Sequence, residues 1–145
     1  MAHSHWDWTS AHCLPSDTEA TSAAVADLLE YLQRTGWADR EVFGIHMAVE
    51  EALVNAIQHG NREDPAKSVN ILYQASAHKI RIEIVDEGSG FSLASVADPT
   101  EGERLCQPRG RGLLLMRAYM TKVEYLGCGN KLVMEKRRNR KVEAA

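Results

Sequence analysis

The chain has 145 residues and a mass of 16.1 kDa, which is close to the commonest size of a single domain and excludes two large ones. Apolar residues make up 44% and charged residues 26%, so a core can form without disulfide or metal staples. The net charge of −3 argues against a protein that binds a nucleic-acid backbone over its whole surface. The charge is uneven, because five cations lie close together near the C-terminus: Lys136, Arg137, Arg138, Arg140 and Lys141. Without them, twelve basic residues stand against twenty acidic ones.

The three cysteines lack the spacing of a disulfide framework or a zinc knuckle, which favours a reducing compartment. No apolar run approaches the roughly 18 residues that span a bilayer, and the polar N-terminus lacks the apolar stretch of a secretory signal. We therefore expect a cytoplasmic protein that contacts neither membrane nor, directly, nucleic acid.

The N-terminal part of the chain predicts an extended segment and then a helix. Residues 1–15, which contain two tryptophans and a proline, are expected to form an extended edge segment. Ser16 with Glu19 three residues later has the pattern of a capping box at the start of the first helix. Gly36 is suited to end that helix.

A second helix is predicted from Asp39 to about His59. At about 100° per residue, its apolar stripe lies opposite a row that carries Met47, Glu51, Asn55 and Gln58. Glu51 and Asn55 are one turn apart and point the same way, so they can address one ligand: the carboxylate as a proton acceptor, the amide oxygen as a hard ligand for Mg²⁺. The alternative is an ordinary solvated helix face.

The second half of the chain predicts strands. Apolar residues alternate with polar ones over 69–73 and 80–84, and a hairpin is predicted over 122–136. Residues 92–109 have no periodicity and predict a long loop, which is followed by a short helix over 112–120. Two long helices, a short helix and four or five strands favour an α+β two-layer sandwich.

The sequence Asp-Glu-Gly-Ser-Gly-Phe directly follows the strand at 80–84. Asp86 can therefore place a carboxylate at the mouth of a pocket, where it suits an exocyclic amine such as that of adenine. Gly88 and Gly90 allow the backbone to approach a flat ligand closely. The alternative is a tight turn between two elements, because Asp and Gly are common in turns.

The sequence Arg109-Gly110-Arg111-Gly112 precedes an apolar helix. Backbone N–H groups at a helix start favour a phosphate, and the two arginines strengthen such a site. The alternative is a loop with solvated arginines. Neither a Walker A loop nor a Rossmann fingerprint occurs in the chain.

The order of these motifs resembles the GHKL (Bergerat-fold) ATP-binding superfamily of gyrase, heat-shock chaperone, histidine kinase and MutL type. Residues 50–60 resemble its N box, 86–91 its first glycine box and 110–125 its second. Within that superfamily the compact chain is most similar to bacterial anti-sigma factor serine/threonine kinases of partner-switching systems. The resemblance implies helices on one face of a mixed, mostly antiparallel sheet. It divides the chain into the segment 1–15, an ATP-binding domain at 16–137 and a basic tail at 138–145.

The resemblance implies a role for each motif residue. Asn55 would coordinate the Mg²⁺ of ATP, and Glu51 would be the general base toward an incoming hydroxyl. Asp86 would bind the adenine amine, and residues 92–109 would form the ATP lid. Glycines and arginines would complete the nucleotide site: Gly88, Gly90, Arg109, Gly110, Arg111 and Gly112.

The function implied is an ATP-dependent serine/threonine kinase that binds a sigma factor and phosphorylates an anti-sigma-factor antagonist. The resemblance also implies a homodimer. Two alternatives stay open: a non-catalytic switch module that binds ATP or a partner, and an unrelated α+β domain in which the motifs coincide by chance.

Overall fold

The computed structural model describes residues 5–88, 112–127 and 129–139. Five strands form one sheet in the order β1-β2-β3-β5-β4. In chain order they are β1 (Trp8–Pro15), β2 (Ser68–Ala75), β3 (Lys79–Asp86), β4 (Lys122–Leu126) and β5 (Lys131–Arg137). The predicted α+β class is confirmed, and all pairings among these strands are antiparallel, so this sheet is not mixed.

The helices are α1 (Ser22–Arg34), α2 (Asp39–Val54) and α3 (112–119). A 3₁₀ turn (Thr18–Thr21) precedes α1, and a π-helical turn (Asn55–Gly60) continues α2. None of the helices within the described ranges combines the length and the apolar character needed to cross a bilayer. The lid predicted over 92–109 lies outside the described residues.

The core lies between one face of the sheet and the helices, because alternate residues of β2 and β3 are buried. Burying one large apolar side chain contributes roughly 1.5–3 kcal/mol. Three tyrosine and tryptophan rings extend this core toward β1: Trp8 stacks on Tyr31 at 4.0 Å and lies 5.7 Å from Tyr73. The largest fully buried side chains are Tyr73, Leu28, Leu32, Ile45, Leu53, Ile57, Ile71, Ile80, Ile82, Ile84, Met116 and Met134.

The start of the first helix differs from the prediction. Asp17, not Ser16, caps the 3₁₀ turn, since its carboxylate accepts a hydrogen bond from Glu19 N at 3.0 Å. The Ser16 hydroxyl is buried and donates to Lys67 O at 2.7 Å. The predicted capping box is therefore wrong, because the Ser16 side chain forms its hydrogen bond with Lys67, which is distant in sequence, and does not cap the helix. The predicted end is confirmed: Gly36 has φ +78, a left-handed conformation that favours glycine.

Candidate functional site

The site begins where α2 changes its winding. The helix was predicted to run to about His59, but α-helical geometry ends at Val54 and a π-helical turn follows, with Asn61 N donating to Ala56 O at 2.8 Å. Such turns occur mostly at functional sites. The wider turn changes the direction of later side chains, so Gln58 is exposed and does not extend the predicted polar row inward.

Glu51 and Asn55 meet the start of α3. Glu51 is half-buried, and Asn55 is only 6% exposed, contrary to a solvated helix face. A Cβ atom on Gly112 would lie 2.8 Å from both Asn55 Nδ2 and Glu51 Oε2, so a larger residue there would displace the ends of these two side chains. The two motifs, more than fifty residues apart in sequence, are thus in direct contact.

The Asn55 amide contains an unsatisfied buried donor. Its Nδ2 atom is buried and has no hydrogen-bond partner among the residues that the structure describes. An unpaired buried donor costs roughly 1–3 kcal/mol, so this atom is suited to an acceptor supplied by a ligand. Phosphate oxygens are such acceptors.

Asp86 ends β3 and is 8% exposed. Gly88 N donates a hydrogen bond to the Asp86 side-chain atom Oδ1 at 2.8 Å, and Asn130 Nδ2 donates to the backbone carbonyl oxygen of Asp86 at 3.1 Å. A Cβ on Gly60 would lie 2.4 Å from this carboxylate, so the glycine that closes the π-helical turn lets Asp86 reach the helix end. The backbone and side-chain contacts together give the carboxylate a defined orientation.

Asn55 and Asp86 line the same small cavity, of about 10 Å³. Tyr125 and Asn130 form the opposite wall. This volume holds about one water, so a purine base enters only if the walls move apart. The three predicted groups therefore converge: Glu51 and Asn55 contact Gly112, and Asn55 shares a cavity with Asp86.

A second polar network supports the turn after β3. Asn61 is fully buried and donates through Nδ2 to Ser16 Oγ and Ser68 O, both at 2.9 Å. Its Oδ1 accepts from Glu87 N at 2.7 Å. The Glu87 carboxylate accepts from the backbone N–H and the hydroxyl of Ser68, which lower its pKa. This network fixes Glu87, the residue directly after Asp86, and the sequence analysis missed it.

Several predicted site residues lie outside the described part of the chain: Gly90, Arg109, Gly110 and Arg111.

Glu50, the residue before Glu51, is exposed, and its Oε1 lies 3.4 Å from His46 Nε2 on the surface of α2. Across the described ranges, no group of three or more His, Cys, Asp or Glu side chains is placed to hold a metal ion.

The donor set fits a magnesium nucleotide better than an all-protein metal site. Mg²⁺ is usually bound through one or two protein oxygens together with substrate phosphates and water. Asn55 offers an amide oxygen for the ion and an unsatisfied N–H donor for a phosphate, and Gly112 leaves the space beside it open.

The profile of the family described as "Histidine kinase-like ATPase domain" matches residues 14–136. The chain belongs to this family. The match includes the polar pair on α2, Asp86 and α3, so the converging groups all lie within the family's domain.

Three relatives of this histidine kinase-like ATPase domain have names that state a function. "Serine/threonine-protein kinase BtrW" of Bordetella bronchiseptica is 24% identical over 115 residues, 75% of this chain and 81% of the relative. "Serine-protein kinase RsbW" of Listeria monocytogenes is 25% identical over 135 residues, 88% of this chain and 86% of the relative. "Anti-sigma F factor" of Clostridium acetobutylicum is 31% identical over 102 residues, 67% and 71% of the two chains.

A solved structure has the same fold. It contains the RsbU and RsbW domains of a Mycobacterium tuberculosis protein and superimposes with a TM-score of 0.62 at 16% identity. The match covers 91% of this chain and 32% of that one, so the chain spans about a third of its structural neighbour.

Proposed function

We propose that this protein is an ATP-dependent serine/threonine protein kinase that acts as an anti-sigma factor. It would transfer the γ-phosphoryl group of ATP to a hydroxyl of an anti-sigma-factor antagonist. Support comes from the position of Asn55, which shares a small cavity with Asp86 and lies with Glu51 against Gly112, together with the names of the relatives. We propose the sigma factor and the antagonist as its partners on the basis of similarity, and we propose a homodimer on the same basis.

ATP would be held at both of its ends. Asp86 suits the adenine amine, because a carboxylate oriented by Gly88 N accepts a hydrogen bond without first having to reorganise. Asn55 would hold Mg²⁺ through its side-chain oxygen, and when bound the ion neutralises charge on the phosphates. Residues Arg109 to Gly112 are proposed to meet those phosphates.

Glu51 would be the general base. Phosphoryl transfer depends mainly on positioning and on charge neutralisation, so a carboxylate beside the acceptor hydroxyl needs only to take its proton. Glu51 is half-buried and lies against Gly112, one turn from Asn55, so that the base and the ligand of the ion share one side of the helix.

Substitution of Glu51 by Gln tests the kinase assignment. The Gln side chain keeps the shape and a hydrogen-bonding oxygen but accepts no proton, so transfer of labelled phosphate to an antagonist should fall by about 100-fold or more. The Kd for Mg·ATP, measured by calorimetry, should stay within about twofold. Undiminished transfer would remove Glu51 from the role of base.

The matched variant Asp86→Asn separates binding from chemistry. It replaces an acceptor by a group that also presents donors, so ATP affinity itself should fall by about tenfold or more. If the wild type binds Mg·ATP but does not label the antagonist, the protein is a binding module and not a kinase. If Asp86→Asn binds ATP like the wild type, Asp86 does not bind the adenine amine.

A further inference from the structure

A basic groove lies at the end of the sheet that faces away from Asp86. Two open cavities, of about 430 and 940 Å³, adjoin there and share His78, Arg138 and Asn139 in their walls. Lys79 begins β3 and Asp86 ends it, so the groove is roughly 23 Å from the candidate nucleotide site along one strand. Nothing in the proposed kinase reaction uses this surface.

Cations dominate the walls of this groove. Four lysine and arginine side chains line the two cavities: Arg40, Lys79, Arg137 and Arg138. Among the described residues that line the walls, the one carboxylate is Glu41, which is 5% exposed and accepts from Asn139 N at 2.7 Å. The groove therefore presents an excess of positive charge on a protein whose net charge is −3.

Arg138 is fixed at the centre of the groove. Its guanidinium lies 5.2 Å from the centre of the Trp37 ring and donates to Thr35 O at 3.1 Å and to Ala77 O at 3.4 Å. These contacts tie the loop before α2 to the turn between β2 and β3. A guanidinium carries more N–H donors than these two carbonyls use, and holding it in advance lowers the entropy cost of binding a carboxylate.

Lys79 is held in a similar way at the other side. Its Nζ lies 5.4 Å from the centre of the Trp6 ring, and Lys79 pairs across the sheet with Arg137. Arg137 is exposed and uses its backbone N–H, not its side chain, to bond Thr121 Oγ1 at 2.8 Å. Lys79 and Arg137 therefore place two positive charges side by side in the wall of the larger cavity, where a negatively charged ligand could bind them.

We propose that this groove binds an acidic peptide segment of a protein partner. The two cavities are too large for a single inorganic ion, and paired cations suit successive carboxylates. A short acidic segment matches the extent of the groove, whereas a long polyanion such as nucleic acid would extend past it onto a protein whose net charge is −3.

The test uses fluorescein-labelled hexaglutamate and the full chain, with anisotropy measured at an ionic strength of about 0.1 M, where surface charges act over only about 10 Å and a distant control does not affect the groove. The wild type should bind hexaglutamate and not hexaglutamine. The double variant Lys79→Glu/Arg137→Glu should bind it at least about tenfold more weakly. The charge-matched double control Arg62→Glu/Lys67→Glu, whose two residues lie before β2 at the opposite end of the sheet, should bind like the wild type.

Fluorescence localises the binding independently. Trp6 and Trp37 lie beneath groove cations, so hexaglutamate should change their emission in the wild type and not in the double variant. Equal binding by wild type and double variant, or no binding by the wild type, would overturn the proposal. A 12-nucleotide DNA strand that binds more tightly than the peptide, and loses affinity in the double variant, would assign the groove to nucleic acid and also overturn it.

Discussion

Two buried asparagines, six residues apart, behave in opposite ways. Asn61 is fully buried, and its side chain bonds Ser16, Ser68 and Glu87. Asn55 is 6% exposed, and its Nδ2 has no hydrogen-bond partner within the described part of the chain. A satisfied buried amide stabilises a fold, whereas an unsatisfied one costs free energy that a ligand can recover. The comparison distinguishes an architectural asparagine from a candidate binding residue.

The largest expected effect is on activity at Asn55. Replacing it by Ala should lower phosphate transfer to the antagonist by about 100-fold or more, because the Mg²⁺ ligand and a phosphate donor are both lost. The free energy of unfolding should stay the same or rise, by up to about 1 kcal/mol, because an unsatisfied buried group is removed. Urea unfolding and a labelled-ATP assay measure the two effects, and full activity in Asn55→Ala would contradict the assignment.

The matched substitution Asn61→Ala should act on stability. It leaves the Ser68 carbonyl and the Glu87 N–H without their partner, so the free energy of unfolding should fall by about 2–3 kcal/mol. Asn61→Asp keeps an acceptor for Glu87 N but buries a charge whose second oxygen faces the Ser68 carbonyl, so it should destabilise at least as much as Ala. If Asn61→Ala unfolds at the wild-type urea concentration, the network does not stabilise the fold.

A smaller effect on activity is expected at Gly112. A Cβ there would lie within 3 Å of Glu51 and Asn55, and the ends of both side chains would move to make room. Transfer in Gly112→Ala should therefore fall by about tenfold with little loss of stability. Gly36→Ala is the control, and it should lower stability without lowering activity. Because Gly36 has φ +78, alanine there should reduce the free energy of unfolding by about 1 kcal/mol, whereas phosphate transfer at low temperature should be unchanged.

The smallest effect concerns a polar cluster between β1 and α1. Burial acts to raise the pKa of Asp27, but hydrogen bonds from Ser10 and His12 and the charges of His12 and Arg34 outweigh it, so its pKa lies below 3.8. The stability this carboxylate contributes is present above pH 3.8 and is lost as the pH falls through the lower, folded-state pKa.

Because Asp27 is partly exposed, the contribution should be at most about 1 kcal/mol. Urea midpoints of wild type and Asp27→Asn should differ at pH 5 and converge as the pH falls below 3.8. A constant difference at all pH values would show that the carboxylate charge is irrelevant.

The regular elements were predictable from local pattern. The alternation of Ile80, Ile82 and Ile84 predicted β3, and the spacing of Glu51 and Asn55 placed both on one side of α2. The errors occurred where distant residues decide the outcome. Ser16 looked like a helix cap, but it bonds Asn61, which is 45 residues away. The π-helical turn after Val54 left no mark in the periodicity, so the helix was predicted to continue to about His59.

The amino-acid sequence alone determined the order of the motifs, the secondary structure and the family likeness, because hydrophobic periodicity and glycine placement act on nearby residues. Only the tertiary structure decided that Gly112 contacts Asn55, that Asn61 is satisfied while Asn55 is not, and that Arg138 covers Trp37 within a basic groove. Hydrogen-bond satisfaction and charge clustering depend on which distant segments become neighbours, and that follows from packing the helices on the sheet.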